Sequence, residues 1–490
     1  MFFCGIRIHF FMKERQLMAL PNTHLGPDKI SALLDSGKKN LFFDGIGGVS
    51  MNALAHISHL RGHRVSGYDR SPSALTKKLE EMGVTVYYEE SDEHMKDCDA
   101  LIYTVAMPDT NAEYSYAGAH NIPRISRADY LGYIMSGYTH RIGISGTHGK
   151  STTTGMTARI LSHGGFDPTV LNGAPMKETG TVDMIGSHDY FVFEACEYMD
   201  SFLDFFPSVA VVLNIELDHV DYFSSIEQIR QSFTDFMNIT GENGYAVVNL
   251  DDENCRLAMA GYRGNLLTFG RNNPDAVYTS TNEDLSDGFA AFDVMKNGEF
   301  AAHIKLAVPG EHSIADAVAA YAACDAVGIP AEKIASGLGA YEGICRRMEK
   351  MSVTKAGAVV YSDYAHHPTE IATTLAGAKK ICRGKLHVIF QPHTFSRTHE
   401  LFDNFTSAFA DSGIDSLILC DIYPARETNI YGVTSEKLSD AITARGLASR
   451  TAADFADAAE KASRIAEDGD LIIVMGAGDV IKTADYLADL

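Results

Sequence analysis

Positive charge is scarce in this 490-residue chain: 41 Lys and Arg stand against 64 Asp and Glu, a formal charge of −23. That excess of acid argues against a general nucleic-acid binder, because phosphate backbones need a cationic footprint. A local basic pocket for one nucleotide is still compatible with it. No apolar run reaches the roughly 18 residues of a membrane helix, so no membrane partner is expected. The eight cysteines (Cys4, Cys98, Cys196, Cys255, Cys324, Cys345, Cys382 and Cys420) are scattered, with no C-x-x-C pair. A disulfide or zinc framework is therefore not expected, and a reducing, cytoplasmic setting fits. Solenoid repeats and low-complexity tracts are also missing. The apolar stretch Met1–Phe11 is short and lacks both an early basic region and a small-residue cleavage site, so it does not read as a signal peptide. Met12 and Met18 are alternative starts, and residues 1–37 are expected to be an extension with little function.

What is present is a globular composition, 46% hydrophobic, long enough for two or three domains. A first segment, residues 38–138, alternates strand-like runs (Asn40–Phe43, Arg64–Tyr68, Ala100–Val105) with a helical stretch to about Leu60. Such β-α-β alternation implies a parallel sheet with covering helices. A second segment, 139–344, opens with the strand Arg141–Ser145, a Gly-rich loop, and a helix from Lys150 to about Ser162 ended by Gly164-Gly165. Strand-like runs at Tyr190–Phe193, Val209–Leu213 and Ala246–Asn249 follow, and Leu266–Leu306 reads as short antiparallel strands. A third segment, 345–490, is again α/β, with strands at Ala358–Tyr361, Leu386–Phe390, Ser416–Cys420 and Leu471–Met475.

Two glycine loops carry the chemistry. Gly146-Thr-His-Gly-Lys-Ser151 lies between a strand and a helix. The backbone N–H groups of Gly146, Thr147, His148 and Gly149, with the helix start at Lys150, Ser151 and Thr152, would form an anion cradle for ATP. Lys150 would reach the β/γ-phosphates and the Ser151 hydroxyl would ligate Mg²⁺. The strict Walker pattern is not met, because Ile144 stands where its first Gly would be. An ordinary turn with a surface lysine is the competing explanation. Gly45-Ile46-Gly47-Gly48-Val-Ser50 also follows a strand, with Ser50 in place of the last Gly of G-x-G-x-x-G and Asp69 about twenty residues on. Read alone, that loop suggests a dinucleotide site. Acidic Glu194, in Phe193-Glu-Ala-Cys-Glu-Tyr198, ends a strand where parallel sheets bind ligands, while Glu197 is either an assistant or solvated. Arg346 and Arg347 supply fixed charge suited to phosphates.

The string G-T-H-G-K-S-T-T-T resembles the ATP loop of the Mur ligases, a superfamily that includes folylpolyglutamate synthetase. Further matches follow in the family's order from about residue 40 to 480: Gly45–Met51, Phe193–Tyr198, Asn214-Ile-Glu-Leu-Asp-His-Val-Asp221, Glu311-His-Ser-Ile-Ala-Asp316, Cys345-Arg-Arg-Met-Glu349, Tyr361-Ser-Asp-Tyr-Ala-His-His-Pro-Thr-Glu370, Gln391-Pro-His-Thr-Phe-Ser-Arg-Thr398, Asp421–Glu427 and Gly476-Ala-Gly-Asp479. The D-Y-x-H-H-P-T-E string is the most diagnostic.

The resemblance implies a three-domain α/β protein: a Rossmann-like UDP-binding domain, a central P-loop ATPase-like domain with a parallel sheet, and a C-terminal Rossmann-like α/β domain. It implies ATP-dependent ligation of L-alanine to the lactyl carboxylate of UDP-N-acetylmuramate through an acyl phosphate, in peptidoglycan precursor synthesis, by a monomer or dimer. The implied metal ligands are Ser151, Glu194 and His219. Lys150, Glu194, His219, Arg346 and His366 are the implied catalytic residues, and His312, Asp316, Arg346 and Asp363 add to the ATP site. His367 and Arg397 are assigned to the amino acid. Gly45, Ile46, Gly47, Gly48, Asp69 and Thr104 are assigned to the UDP-sugar. Departures from the family pattern are Asp44 for an apolar residue, expected to face water; Ser313 and Asp316 for Asn; and Thr394 for Arg. An ionised Asp316 could accept from an adenine amino group but not donate. The rivals are a ligase attaching a recycled peptide to the same sugar, a motor or signalling ATPase, and a non-catalytic nucleotide-sugar binder.

Overall fold

The computed structural model describes residues 20–490 apart from residues 220, 221, 287, 312 and 426. His312, expected at the ATP site, and the first half of the expected N-terminal extension lie outside the described residues. The chain forms two structural units, one ending at Gly137 and the other spanning Tyr138–Leu490.

The first unit is built on five parallel strands in the order Thr85–Tyr87, Arg64–Tyr68, Asn40–Asp44, Ala100–Tyr103, Arg124–Ser126. Leu41, Phe42, Phe43, Leu101 and Ile102 are fully buried, as expected for strands covered on both faces. Chain order reverses on the two sides of Asn40–Asp44, so a crevice opens at its C-terminal end, and the Gly45 loop sits there. Residues 20–37 are part of this unit. The helix Pro27–Leu34 follows a segment in which Thr23 Oγ1 and the Gly26 N–H donate to Asp129 at 2.6 and 3.0 Å, and the Leu20 N–H donates to the Val105 carbonyl at 2.9 Å. No structural break falls at residue 38.

The second unit holds two sheets. The larger has ten strands, with His140–Ser145 lying between Val209–Val212 and Tyr190–Glu194, all parallel. The reading of Leu266–Leu306 as antiparallel is corrected at its start. Asn265–Arg271 runs parallel to both of its neighbours, Tyr245–Asn249 and Tyr278–Asp284. Only Tyr278–Asp284, Phe289–Lys296 and Glu299–Pro309 form an antiparallel meander. Alternation of side chains reports a strand but not its direction; here direction is set by the helix Glu253–Met259, which carries the chain back across the sheet. The Ala-rich helix Ser313–Ala326 is apolar almost all round and correspondingly buried. The second sheet has six strands, in the order Glu349–Val353, Val359–Asp363, Leu471–Met475, Leu386–Phe390, Ser416–Leu419, Ser449–Thr451, with only the first antiparallel.

Candidate active site

The strand His140–Ser145 runs directly into the phosphate loop. Gly146 and Gly149 hold φ of 139° and 85°, backbone that L side chains rarely adopt. A Cβ on Gly149 would also lie 2.7 Å from Asp316 Oδ1. Asn214, just beyond the strand Val209–Val212, clamps the loop from both sides: its Oδ1 accepts from His148 N at 2.8 Å and its Nδ2 donates to the His148 carbonyl at 3.0 Å. The Lys150 ammonium donates to the Gly146 and Thr147 carbonyls and to Glu197 Oε2, the last at 3.3 Å. Burial opposes that charge, but the nearby Glu197 carboxylate outweighs it and the Lys150 pKa rises. Glu197 is thus no solvated residue; it is 1% exposed.

Ser151 Oγ donates to Glu194 Oε2 at 2.8 Å, and the Gly173 N–H donates to the same oxygen at 2.9 Å. His219 lies 4.0 Å from Glu197. Ser151, Glu194 and His219 all line one cavity of about 210 Å³, together with Lys150. A hydroxyl and a carboxylate at the end of adjacent elements are the hard oxygen donors that Mg²⁺ takes, so Ser151 and Glu194 fit that ion, with the His219 imidazole as a nitrogen donor on the same cavity.

The six-stranded region supplies the cavity's other wall, with Arg347, Tyr364, His366, His367, Glu370 and Arg397. His367 is the N-cap of the helix Pro368–Ile381, and Glu370 accepts from the His366 and His367 N–H groups at 3.0 and 3.3 Å. Proline at the first helical position and Glu at the third fix this turn. Glu370 Oε1 also lies 3.4 Å from His148 Nδ1 and 3.6 Å from Arg347 Nη1. Burial disfavours a charged His148, but Glu216 and Glu370 overcome it and lift its pKa to about 9. His366 goes the other way: burial drops it to about 4, so its ring is neutral near pH 7. Arg397 Nη2 donates to Asp218 Oδ1 at 3.2 Å. Burial alone would raise Asp218, but Arg397 and His219 hold its pKa below the usual range.

A second cavity, of about 280 Å³, adjoins the loop through His148, Gly149 and Thr152. Its walls are largely apolar, including Leu213, Phe269, Val308, Tyr341 and Ile344, with Asp316, Arg347 and Asp363 among its polar groups. Asp363 accepts from the Met348 and Ala365 N–H groups, each at 2.8 Å. Asp316 is 9% exposed, not a solvated helix residue. Burial raises its pKa to about 7 against the pull of Thr153 and Arg347. Burial thus favours the protonated form of Asp316, which can donate as well as accept.

Arg346 needs a second correction. Its guanidinium donates to the Gly476 and Gly478 carbonyls and stacks over the Tyr364 ring, 4.9 Å from its centre. It lines neither cavity, whereas Arg347 lines both. The R-R pair identified the charge but not which Arg faces the site; Arg346 has φ of 60°, and that turn directs the two side chains apart. Glu216, Glu370 and Asn214 also face the site, though their motifs alone assign them no role. The H-P-T-E pattern, a helix start with Glu at its third position, was the available signal for Glu370.

In the first unit, Gly47 N–H donates to Asp69 Oδ2 at 2.9 Å, and a Cβ on Gly45 would lie 2.8 Å from Thr104 Cγ2. The structure thus brings the Gly45–Gly48 loop, Asp69 and Thr104 together. Asp44, expected to face water, does not. It is fully buried, neither carboxylate oxygen has a hydrogen-bond partner, and burial with neighbouring Glu113, Glu90 and Asp69 raises its pKa well above the usual value.

Comparison with known proteins agrees with this architecture. Residues 42–139 match the Mur ligase family catalytic domain, 144–324 the Mur ligase middle domain, and 346–478 the Mur ligase glutamate ligase domain. This chain belongs to the Mur ligase family. Within that family it is 43% identical to a UDP-N-acetylmuramate–L-alanine ligase of Acetivibrio thermocellus, over 94% of this chain and 98% of the relative. It is 42% identical to the enzyme of that name from Clostridium acetobutylicum, over 91% and 97%. The solved UDP-N-acetylmuramate–alanine ligase MurC of Thermotoga maritima superposes with a TM-score of 0.78 at 26% identity, covering 92% of this chain and 98% of that one. A murein peptide ligase from Psychrobacter arcticus shares the fold, with a TM-score of 0.67 at 23% identity over 92% and 99%.

Proposed function

We propose that this chain joins L-alanine to the lactyl carboxylate of UDP-N-acetylmuramate at the expense of ATP and with Mg²⁺, as a cytoplasmic step of peptidoglycan precursor synthesis. The observation that carries this reading is the convergence of Lys150, Ser151 and Glu194 from one sheet with Arg347, His366 and Arg397 from the other on a single cavity. The apolar cavity beside it suits a nucleotide base.

In this reading the sugar carboxylate attacks the γ-phosphate, ADP leaves, and the alanine amine displaces phosphate from the resulting acyl phosphate. Phosphoryl transfer of this kind is mostly positioning and charge neutralisation. The loop N–H groups and Lys150 hold the phosphates, and Arg347 neutralises charge from the opposite wall. Bound Mg²⁺, held by Ser151, Glu194 and His219, would offset charge on the phosphate oxygens. His366 Nδ1 lies 3.1 Å from the Tyr364 carbonyl; donating there leaves Nε2 as an acceptor for the incoming amine. Arg397 is the cation for the alanine carboxylate. In the first unit, the Gly45–Gly48 loop, Asp69 and Thr104 hold the UDP portion.

The test is phosphate release from ATP in the presence of UDP-N-acetylmuramate, adding L-alanine, glycine, L-serine and an alanyl tripeptide in turn. Alanine is expected to give the fastest release. No alanine-dependent release, or a clear preference for the tripeptide, overturns the assignment.

A further inference from the structure

The Mg²⁺ donors leave a second cluster unused. His148, Glu216 and His367 each present a ligand atom within 4.8 Å of the other two. They come from three separate places: the phosphate loop, the segment after the strand Val209–Val212, and the N-cap of the helix Pro368–Ile381.

His148 is oriented as a metal-ligating histidine is. Such residues direct one ring nitrogen at the ion and the other at a carboxylate. His148 Nδ1 faces Glu370 Oε1 at 3.4 Å. Its Nε2 is buried without a hydrogen-bond partner and faces Glu216 Oε2 at 3.5 Å; an ion bound there takes the place of the proton that Glu216 and Glu370 otherwise hold on this ring. Glu216 Oε2 is itself steadied by the Thr369 hydroxyl at 2.9 Å. The His367 ring lies 5.0 Å from that of His148, centre to centre, and receives only a long hydrogen bond of 3.4 Å from Thr369 N. That bond is weak enough to give way.

We propose that His148, Glu216 and His367 form a second cation site, separate from Ser151, Glu194 and His219, that takes a four-coordinate transition-metal dication of the zinc class. Two imidazoles and one carboxylate are a zinc donor set, whereas Mg²⁺ prefers six oxygens. Zinc–ligand distances of about 2.0–2.2 Å place tetrahedral donors roughly 3.4 Å apart. Side-chain rotation closes the remaining gap. Because His148 and His367 come from the two facing walls of the phosphate cavity, the bound ion would pin those walls together. Zinc is therefore expected to raise the melting temperature and to inhibit ligation in a way that excess Mg²⁺ does not relieve.

Cobalt(II) is the probe, since four-coordinate Co²⁺ absorbs visible light intensely and six-coordinate Co²⁺ only faintly. The full chain is titrated with Co²⁺, then with Zn²⁺ in competition. One equivalent of intense absorption is expected in the wild type and in Glu194→Gln, which removes the Mg²⁺ carboxylate. The absorption should weaken at least tenfold in Co²⁺ affinity in Glu216→Gln and His367→Ala. X-ray absorption of the zinc-loaded wild type, which needs no folded variant, should count two imidazoles and no sulfur. Faint absorption only, a signal lost in Glu194→Gln but intact in Glu216→Gln and His367→Ala, or sulfur ligation would overturn the proposal.

Discussion

The two glycine loops, Gly45–Gly48 and Gly146–Ser151, share one backbone plan: a central parallel strand, a tight turn, then a helix. Their surroundings are opposite. The first closes on a carboxylate, with Gly47 N–H on Asp69, and its preceding residue Asp44 is a buried acid with no partner. The second closes on a cation and a hydroxyl, and nearly every charge around it is answered: Lys150 by Glu197, His148 by Glu216 and Glu370, Asp218 by Arg397. A loop that only holds a diphosphate can rely on N–H groups and shape. A loop where phosphate is transferred needs fixed countercharge on both sides of the reacting group.

Removing the countercharge should break the second loop most severely. Lys150→Ala is expected to lower kcat by ~10²–10³-fold or more, the cost of deleting one electrostatic stabiliser of a transition state, while UDP-sugar binding measured by calorimetry stays near wild type. The two arginines give the next contrast. Arg347→Ala should cost about 10²-fold in kcat. Arg346→Ala should leave kcat within a few-fold and instead destabilise the fold by ~1–3 kcal/mol, since two carbonyls lose a charged donor; steady-state kinetics beside a urea melt separates the two.

Asp316 sharpens the comparison through pH. Its folded pKa, about 7, lies above the ordinary 3.8, so the unfolded chain loses this proton first. Stability therefore falls as pH rises from about 4 to about 7 and is level above that. If the acid form is the one that binds the base, the KM for ATP should rise through pH 7, approaching tenfold per unit beyond it. Asp316→Asn, always donor and acceptor, should flatten that profile. A wild-type KM that is constant from pH 6 to 9 would remove Asp316 from base recognition. The smallest effect concerns the first loop: Asp44→Val should stabilise the protein by ~1–3 kcal/mol, because an unpaired buried carboxyl is replaced by a β-branched residue suited to a central strand. A lower melting temperature would contradict this reading of Asp44.

Much of this arrangement is legible in the sequence. The placement of Lys150-Ser151 at a helix start, after a strand and a turn of positive-φ glycines, was readable from the Gly-rich string and the apolar run before it. The apolar strands Leu386–Phe390 and Leu471–Met475 declared themselves as buried parallel strands by being apolar at every position. What stayed hidden depends on direction and on distant partners. Nothing local distinguishes Arg346 from Arg347; the choice is made by the carbonyls of Gly476 and Gly478, some 130 residues away. Asp44 looks like any strand-end acid until the neighbouring strands cover it. Asp316 looks ionised until the helix that carries it is seen to be inside the protein. The direction of Asn265–Arg271 was equally unreadable, because alternation is the same for parallel and antiparallel neighbours.

If this site transfers phosphate to a carboxylate rather than to water, the oxygen that leaves with the phosphate comes from the sugar's lactyl group. This is tested most directly with UDP-N-acetylmuramate labelled with ¹⁸O in its lactyl carboxylate, turned over with ATP and L-alanine in unlabelled water. One labelled oxygen is expected in each phosphate released, carried there through the acyl phosphate. Phosphate free of label, with its new oxygen drawn from water, would contradict it.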